Sequence, residues 1–241
     1  RRYRPNVAAR VAEAAPTARA PWLPQGKTWD AELAEDKLHY RDSHGALMLP
    51  LPRLPGAHQA VNAALAVAML RHQQRLDVPE AALRAGMGWA EWAARLQKLG
   101  PGPLRDLLPA GSELWLDGAH NPAAARAVAD FFRGHVPAGA PFHIVFGLLA
   151  AKDSYGVLRP FRGRPATIHT IPVPGHEHHD PTALAATARD LDLAAMPCAG
   201  IEAALDWIAR HADRAHPPVV LILGSLYLAG ELLEMNGQAP T

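Results

Sequence analysis

A single cysteine, Cys198, leaves this 241-residue chain without a partner for an internal disulfide and fits a reducing compartment. An excess of either charge is also lacking. With 24 Lys and Arg against 23 Asp and Glu, the formal net charge is +1, which removes the global electrostatic case for nucleic acid or an anionic membrane as partner. No apolar run reaches the ~20 residues that a membrane helix needs. Arg1-Arg2-Tyr3-Arg4-Pro5 is basic but has no apolar stretch behind it, so it does not read as a signal peptide. There is no initiating Met, and we expect a chain cut from a longer one. What is present is ordinary for a folded protein: 49% hydrophobic and 20% charged residues, with length enough for one large domain or two smaller ones. The expectation is a soluble, cytoplasmic monomer.

The pattern changes at Gly100-Pro101-Gly102-Pro103. Before it, residues 1–55 are rich in Pro, Ala and Arg and contain one hairpin, Lys37 to Tyr40 and Ala46 to Leu49, turning at Asp42-Ser43-His44-Gly45. A helix is expected over 57–74, with Val61, Ala64, Leu65, Ala68 and Met69 as its apolar positions, and a second from Pro79 into Gly86-Met87-Gly88. After the change, strands at 114–117, 143–147, 167–173 and 219–223 alternate with helices near 122–133, 152–160, 181–190, 201–214 and 226–234. Such alternation predicts an α/β fold with a mostly parallel sheet. Residues 100–241 would form a complete domain, and residues 1–96 the last part of another.

Three segments carry chemistry. Leu114-Trp115-Leu116-Asp117 ends in a tight turn, Gly118-Ala119-His120, and Asn121-Pro122 opens an Ala-rich helix. Pro suits the first helical turn and Asn caps it, so Asp117 and His120 should stand at the carboxyl edge of a strand, beside N–H groups that favour an anion. Ligands of open α/β sheets bind at that edge. An ordinary strand-to-helix turn with a buried Asp would carry the same residues. Earlier, His58-Gln59 and Asn62 share the first turn of a helix. An Asn amide offers the donor and acceptor that an adenine edge requires, although polar residues of an exposed turn have the same spacing. Third, Arg95 follows Trp89 and Trp92 and could reach a phosphate, or lie on the surface.

In order, Gly56-x-His58-Gln59-x-x-Asn62-Ala63, Trp92-x-x-Arg95-Leu96-Gln97, Asp117-Gly118-Ala119-His120-Asn121-Pro122, Val145-Phe146-Gly147 with Lys152-Asp153, and Gly224-Ser225-Leu226-Tyr227 with Gly230-Glu231 resemble folylpolyglutamate synthases and their bifunctional dihydrofolate synthase relatives, within the Mur ligase superfamily. The resemblance runs from about residue 25 to the C-terminus. It implies a Rossmann-like C-terminal domain of the Mur ligase type over 100–241, preceded over 1–96 by the end of the central ATP-binding domain. It also implies an ATP-dependent amide ligase, in which ATP converts a carboxylate to an acyl phosphate and the amine of glutamate attacks it. By the same resemblance, Asn62, with His58 and Gln59, would meet the adenine and Arg95 the phosphates. Asp117 would hold the nucleotide through the ribose or through Arg95, and His120 would approach the phosphates as the catalytic residue. The implied partners are ATP, glutamate and a folate or dihydropteroate. Mg2+ is implied too, with its ligands expected outside this chain.

Three departures qualify the resemblance. The family's Trp-Pro-Gly-Arg is Trp92-Ala93-Ala94-Arg95 here, so the turn before Arg95 must be built differently, and the usual Asp before Lys152 is Ala151. No Gly-x-x-Gly-Lys-Ser type loop occurs in the 241 residues, so the chain is expected to be an inactive C-terminal portion of the enzyme. A non-catalytic domain that binds a nucleotide or a protein, and another Mur-type ligase, are the alternatives. His176-Glu177-His178-His179-Asp180 has metal-ligand residue types but reads as a solvated loop, and no metal site is expected. Ser225 reads as a helix cap, and Cys198, without a basic neighbour, as an unreactive thiol. Lys152 and Asp153 should open a helix, Asp153 favouring its dipole and Lys152 opposing it.

Overall fold

The computed structural model describes residues 3, 5–213 and 215–239. Arg1, Arg2 and Arg4 of the basic start lie outside them, as does residue 214, the last of the helix expected over 201–214. The chain divides into two compact units, Arg1–Glu91 and Trp92–Thr241.

The first unit begins with α1 (Pro5–Thr17) and a three-stranded antiparallel sheet in the order β1 (Trp29–Ala34), β2 (Lys37–Asp42) and β3 (Gly45–Pro50). Helices α2 (Ala57–His72) and α3 (Glu80–Trp89) follow. The turn between β2 and β3 lies where expected: the Asp42 carboxylate accepts from the His44 amide at 2.8 Å, and Gly45 takes a φ of 112°. α1, which buries no residue, and β1, whose Trp29, Ala31 and Leu33 alternate with Asp30 and Glu32, are additions to the expected elements. The buried side of α2 differs from expectation. Val61 and Met69 are exposed, whereas Gln59, Ala60, Ala64, Val67 and Ala68 are buried. Small side chains on that side bring the helix close to Trp29, Leu38, Tyr40 and Leu49. Asp42 ties the unit together, accepting two bonds of 2.8 Å from Arg71 and one of 3.0 Å from the Tyr40 hydroxyl. Burial alone would push its carboxyl up, but these donors outweigh it and hold it at about 2.

The second unit runs β4 (Gln97–Lys98), β5 (Glu113–Asp117), α4 (Pro122–His135), β6 (Phe142–Phe146), α5 (Ser154–Leu158), β7 (Ala166–Thr170), α6 (Pro181–Arg189), β8 (Ala194–Pro197), α7 (Ile201–His211), β9 (Val219–Leu223) and α8 (Leu226–Met235). These strands form one sheet in the order β4-β5-β9-β6-β7-β8, parallel throughout except for β4, which is antiparallel to β5. This is the mixed, mostly parallel sheet of an α/β fold. Apolar cores lie on its two faces, one including Phe132 and Val157, the other Leu205 and Leu232.

Several expected boundaries shift. β4 and β8 are too short to show a period. β7 ends at Thr170, three residues before the expected limit, α2 ends at His72 and α7 at His211. The helix expected over 152–160 starts at Ser154, with Asp153 as its cap accepting from the Gly156 amide at 2.8 Å, and tightens to a 3-10 turn at Arg159–Phe161 around Pro160. Lys152 therefore precedes the helix, one residue before its cap. Among the described residues no helix is long and apolar enough to cross a membrane.

Candidate functional site

The parallel strands β5, β9, β6 and β7 end together, so the segments that follow Asp117, Leu223, Phe146 and Thr170 gather at one edge. Asp117 is 4% exposed. Its two carboxylate oxygens accept from the Leu96 and Ala119 amides, at 2.8 Å each. Burial pushes the carboxyl above its usual value, and the two amides and the nearby Arg95 and His120 offset part of that. His120 is half-buried, its Nδ1 2.8 Å from the Gly118 carbonyl oxygen. That carbonyl accepts, so Nδ1 carries the proton and Nε2 is left as an acceptor in the neutral ring. Asn121 caps α4, its side chain accepting from the Ala124 amide at 3.0 Å, with Pro122 in the first turn. Ser225 caps α8 in the same way, through the Tyr227 and Leu228 amides.

Two glycines allow the edge to pack this closely. A Cβ on Gly118 would lie 2.1 Å from Leu226 Cδ2 and 3.4 Å from Arg95 Nη1. Gly224, at a φ of 120°, would place one 2.3 Å from the Gly147 carbonyl oxygen. Arg95 comes to this edge because β4 pairs with β5 in the register Gln97 to Leu116, which sets Leu96 level with Asp117. The turn that the Ala93-Ala94 departure called for is built from left-handed residues: Ala94 has a φ of 55° and Leu96 of 44°, on either side of Arg95. The structure therefore brings Arg95, Asp117 and His120 together within the second unit.

Asn62, Gln59 and His58 belong to the first unit, on the opening turn of α2. Asn62 is exposed and donates through Nδ2 to Gln59 Oε1 at 3.0 Å. Gln59 is buried, so it does not solvate an exposed turn. Both line a groove of about 340 Å³ with Pro52, Leu54, Leu70 and Met87.

The histidine loop is tied to the segment bearing Lys152. His179 reaches the Lys152 carbonyl oxygen at 2.8 Å, and the Ala150 amide donates to the Glu177 carbonyl at 3.1 Å. Asp180 caps α6, and His176 stacks on Tyr227 with ring centroids 3.9 Å apart. No group of three or more His, Cys, Asp or Glu able to hold a metal ion occurs among the described residues. Cys198 is half-buried, and burial pushes its thiol up. Gln97, to which no role attaches from sequence, accepts through its side chain from the Ala94 amide at 2.9 Å. Its only signal was its place in the Trp92-to-Gln97 segment.

The chain is similar in sequence and in fold to folylpolyglutamate synthases. It is 33% identical over 186 residues to a probable bifunctional folylpolyglutamate synthase/dihydropteroate synthase of Haloferax volcanii, covering 74% of this chain and 20% of that protein. With the folylpolyglutamate synthase of Lacticaseibacillus casei it shares 28% identity over 93% of this chain and 50% of that protein. FolC of E. coli, solved in complex with DHPP and ADP, superposes with a TM-score of 0.76 at 26% identity, over 94% of this chain and 50% of that one. The chain thus spans between a fifth and a half of the length of these relatives. No protein-family model matches it.

Proposed function

We propose that the chain carries the C-terminal half of an ATP-dependent carboxylate–amine ligase that joins glutamate to a folate or dihydropteroate through an acyl phosphate. The observation that carries this is the carboxyl edge of the sheet, where Arg95 is presented beside His120 and the capped N-terminus of α4. A transferring phosphoryl group needs fixed cations and N–H donors at its oxygens, and these groups supply both. In this reading Arg95 binds phosphate oxygens, His120 approaches them, and Asn62, with Gln59 and His58 beside it, meets the adenine. Asp117, with both oxygens already accepting amides, acts through the turn that carries Arg95. The relatives named for folylpolyglutamate synthesis, and the ADP in the E. coli complex, support the nucleotide and the acceptor class.

Titrating the isotope-labelled chain with ATP tests the nucleotide part. Amide shifts are expected at residues 94–96 and 118–121, and Arg95→Ala should remove them. Unmoved amides at millimolar ATP would overturn the assignment.

A further inference from the structure

Arg95 sits between two strained neighbours. Ala94 and Leu96 are non-glycine residues in the left-handed region, a conformation that such residues leave unless their surroundings hold them. Here the backbone polar groups on both sides of Arg95 are engaged. The Ala94 amide donates to Gln97 Oε1 at 2.9 Å, and the Ala94 carbonyl accepts from the Gly118 amide at 3.0 Å. The Leu96 amide donates to Asp117 Oδ2 at 2.8 Å, while Asp117 Oδ1 takes the Ala119 amide in the turn that follows β5. The Ala94 and Leu96 side chains are buried, whereas Arg95 is half-exposed. Among the described residues Asp117 forms no ion pair with Arg95, so beyond the attraction between their charges its hold on the arginine runs through the backbone.

We propose that Gln97 and Asp117 are positioning residues that lock this left-handed turn onto β5, fixing the direction in which Arg95 leaves the sheet edge. Gln97 closes the turn from within. Asp117 pins it to the strand end that also carries His120, so the two side chains assigned to the phosphates share one rigid base. The segment starts three residues after the division between the units, at Glu91 and Trp92, where an unpinned chain would behave as a linker. The inference rests on the proposed function only in giving Arg95 a ligand.

The test uses the labelled 241-residue chain without nucleotide and reads two quantities: hydrogen exchange of the Leu96 amide and relaxation of the Arg95 side-chain N–H. In the native chain the Leu96 amide should be protected and the Arg95 side chain partly ordered. Gln97→Ala and Asp117→Asn should each speed Leu96 exchange by about tenfold or more and free Arg95, with the amides of Ile144 and Leu221 unchanged. Adding Ala94→Gly to Gln97→Ala should restore order, because glycine takes the left-handed conformation without strain. A purely structural role for Gln97 would not show that rescue. If Asp117→Asn fails to fold, Gln97→Ala carries the test alone. The proposal is overturned if native Leu96 exchanges like an exposed loop, if Gln97→Ala leaves Arg95 as ordered as before, or if the added glycine fails to restore it. Loss of ATP shifts in Arg95→Ala is a separate measurement, so the turn and the ligand fail independently.

Discussion

Acidification from about pH 7 to about pH 5 should selectively weaken the second unit, through a pair of histidines. His169 is fully buried, with Nε2 3.1 Å from His143 Nδ1 and Nδ1 3.9 Å from the Cys198 sulfur. Trp207 packs against both rings, at 5.1 Å from His169 and 6.3 Å from His143, and His211 stacks on Trp207. In the neutral pair one ring donates to the other across this contact, and protonating both rings sets donor against donor. Burial pushes both imidazoles down from 6.5 to about 4, and the neighbouring His143 lowers His169 further. The folded state thus binds fewer protons than the unfolded chain. Its advantage is complete above pH 6.5 and is lost as pH falls through 6.5 toward 4. At pH 5 the loss is about 2 kcal/mol per imidazole, or roughly 2–4 kcal/mol for a coupled pair. Glu113 and Asp42, held at about 2, do not titrate in this window, whereas burial pushes Asp117 up, which acts in the opposite sense to the histidines. Urea titrations followed by NMR at β6 and β7, across this pH range, measure the effect. His143→Gln should flatten the slope. A native chain losing less than about 1 kcal/mol by pH 5, or a variant keeping the native slope, would refute the reasoning.

Gly224→Ala puts a Cβ against the Gly147 backbone at a φ of 120°, so a loss of about 3 kcal/mol or more in urea unfolding is expected, and a neutral result would contradict the geometry. Asp42→Asn removes the charge that receives Arg71 and should cost the first unit about 3 kcal/mol, read in the same way. Ala94→Gly relieves a left-handed alanine at a φ of 55° and should raise stability by up to about 1 kcal/mol, seen as a higher thermal midpoint; a lower one would show that the turn is unstrained. With no Gly-x-x-Gly-Lys-Ser type loop in its 241 residues, the chain alone should release no phosphate from ATP on addition of glutamate, folate and magnesium, and turnover would refute that expectation.

Long periodic segments were legible without coordinates. The strands ending at Asp117 and Leu223, the helix opened by Asn121-Pro122 and the caps at Asn121 and Ser225 depend on neighbours in sequence, where side-chain capping and strand–helix alternation act. Short elements were not: β4 has two residues, and its pairing with β5 comes from the partner strand, not from its own pattern. On α2, apolar residues on more than one side hid the buried stripe, and contact with the small sheet selected the alanines. The residue types at Arg95, Asp117 and His120, and the family resemblance they help to carry, were legible in the chain alone. That Asp117 spends both oxygens on the Leu96 and Ala119 amides, and that Gln97 closes a left-handed turn around Arg95, was decided only by tertiary structure. Hydrogen bonds between residues 21 apart in sequence form only after the strands have paired, and no local propensity of Ala94 or Leu96 favours the conformation that those bonds impose.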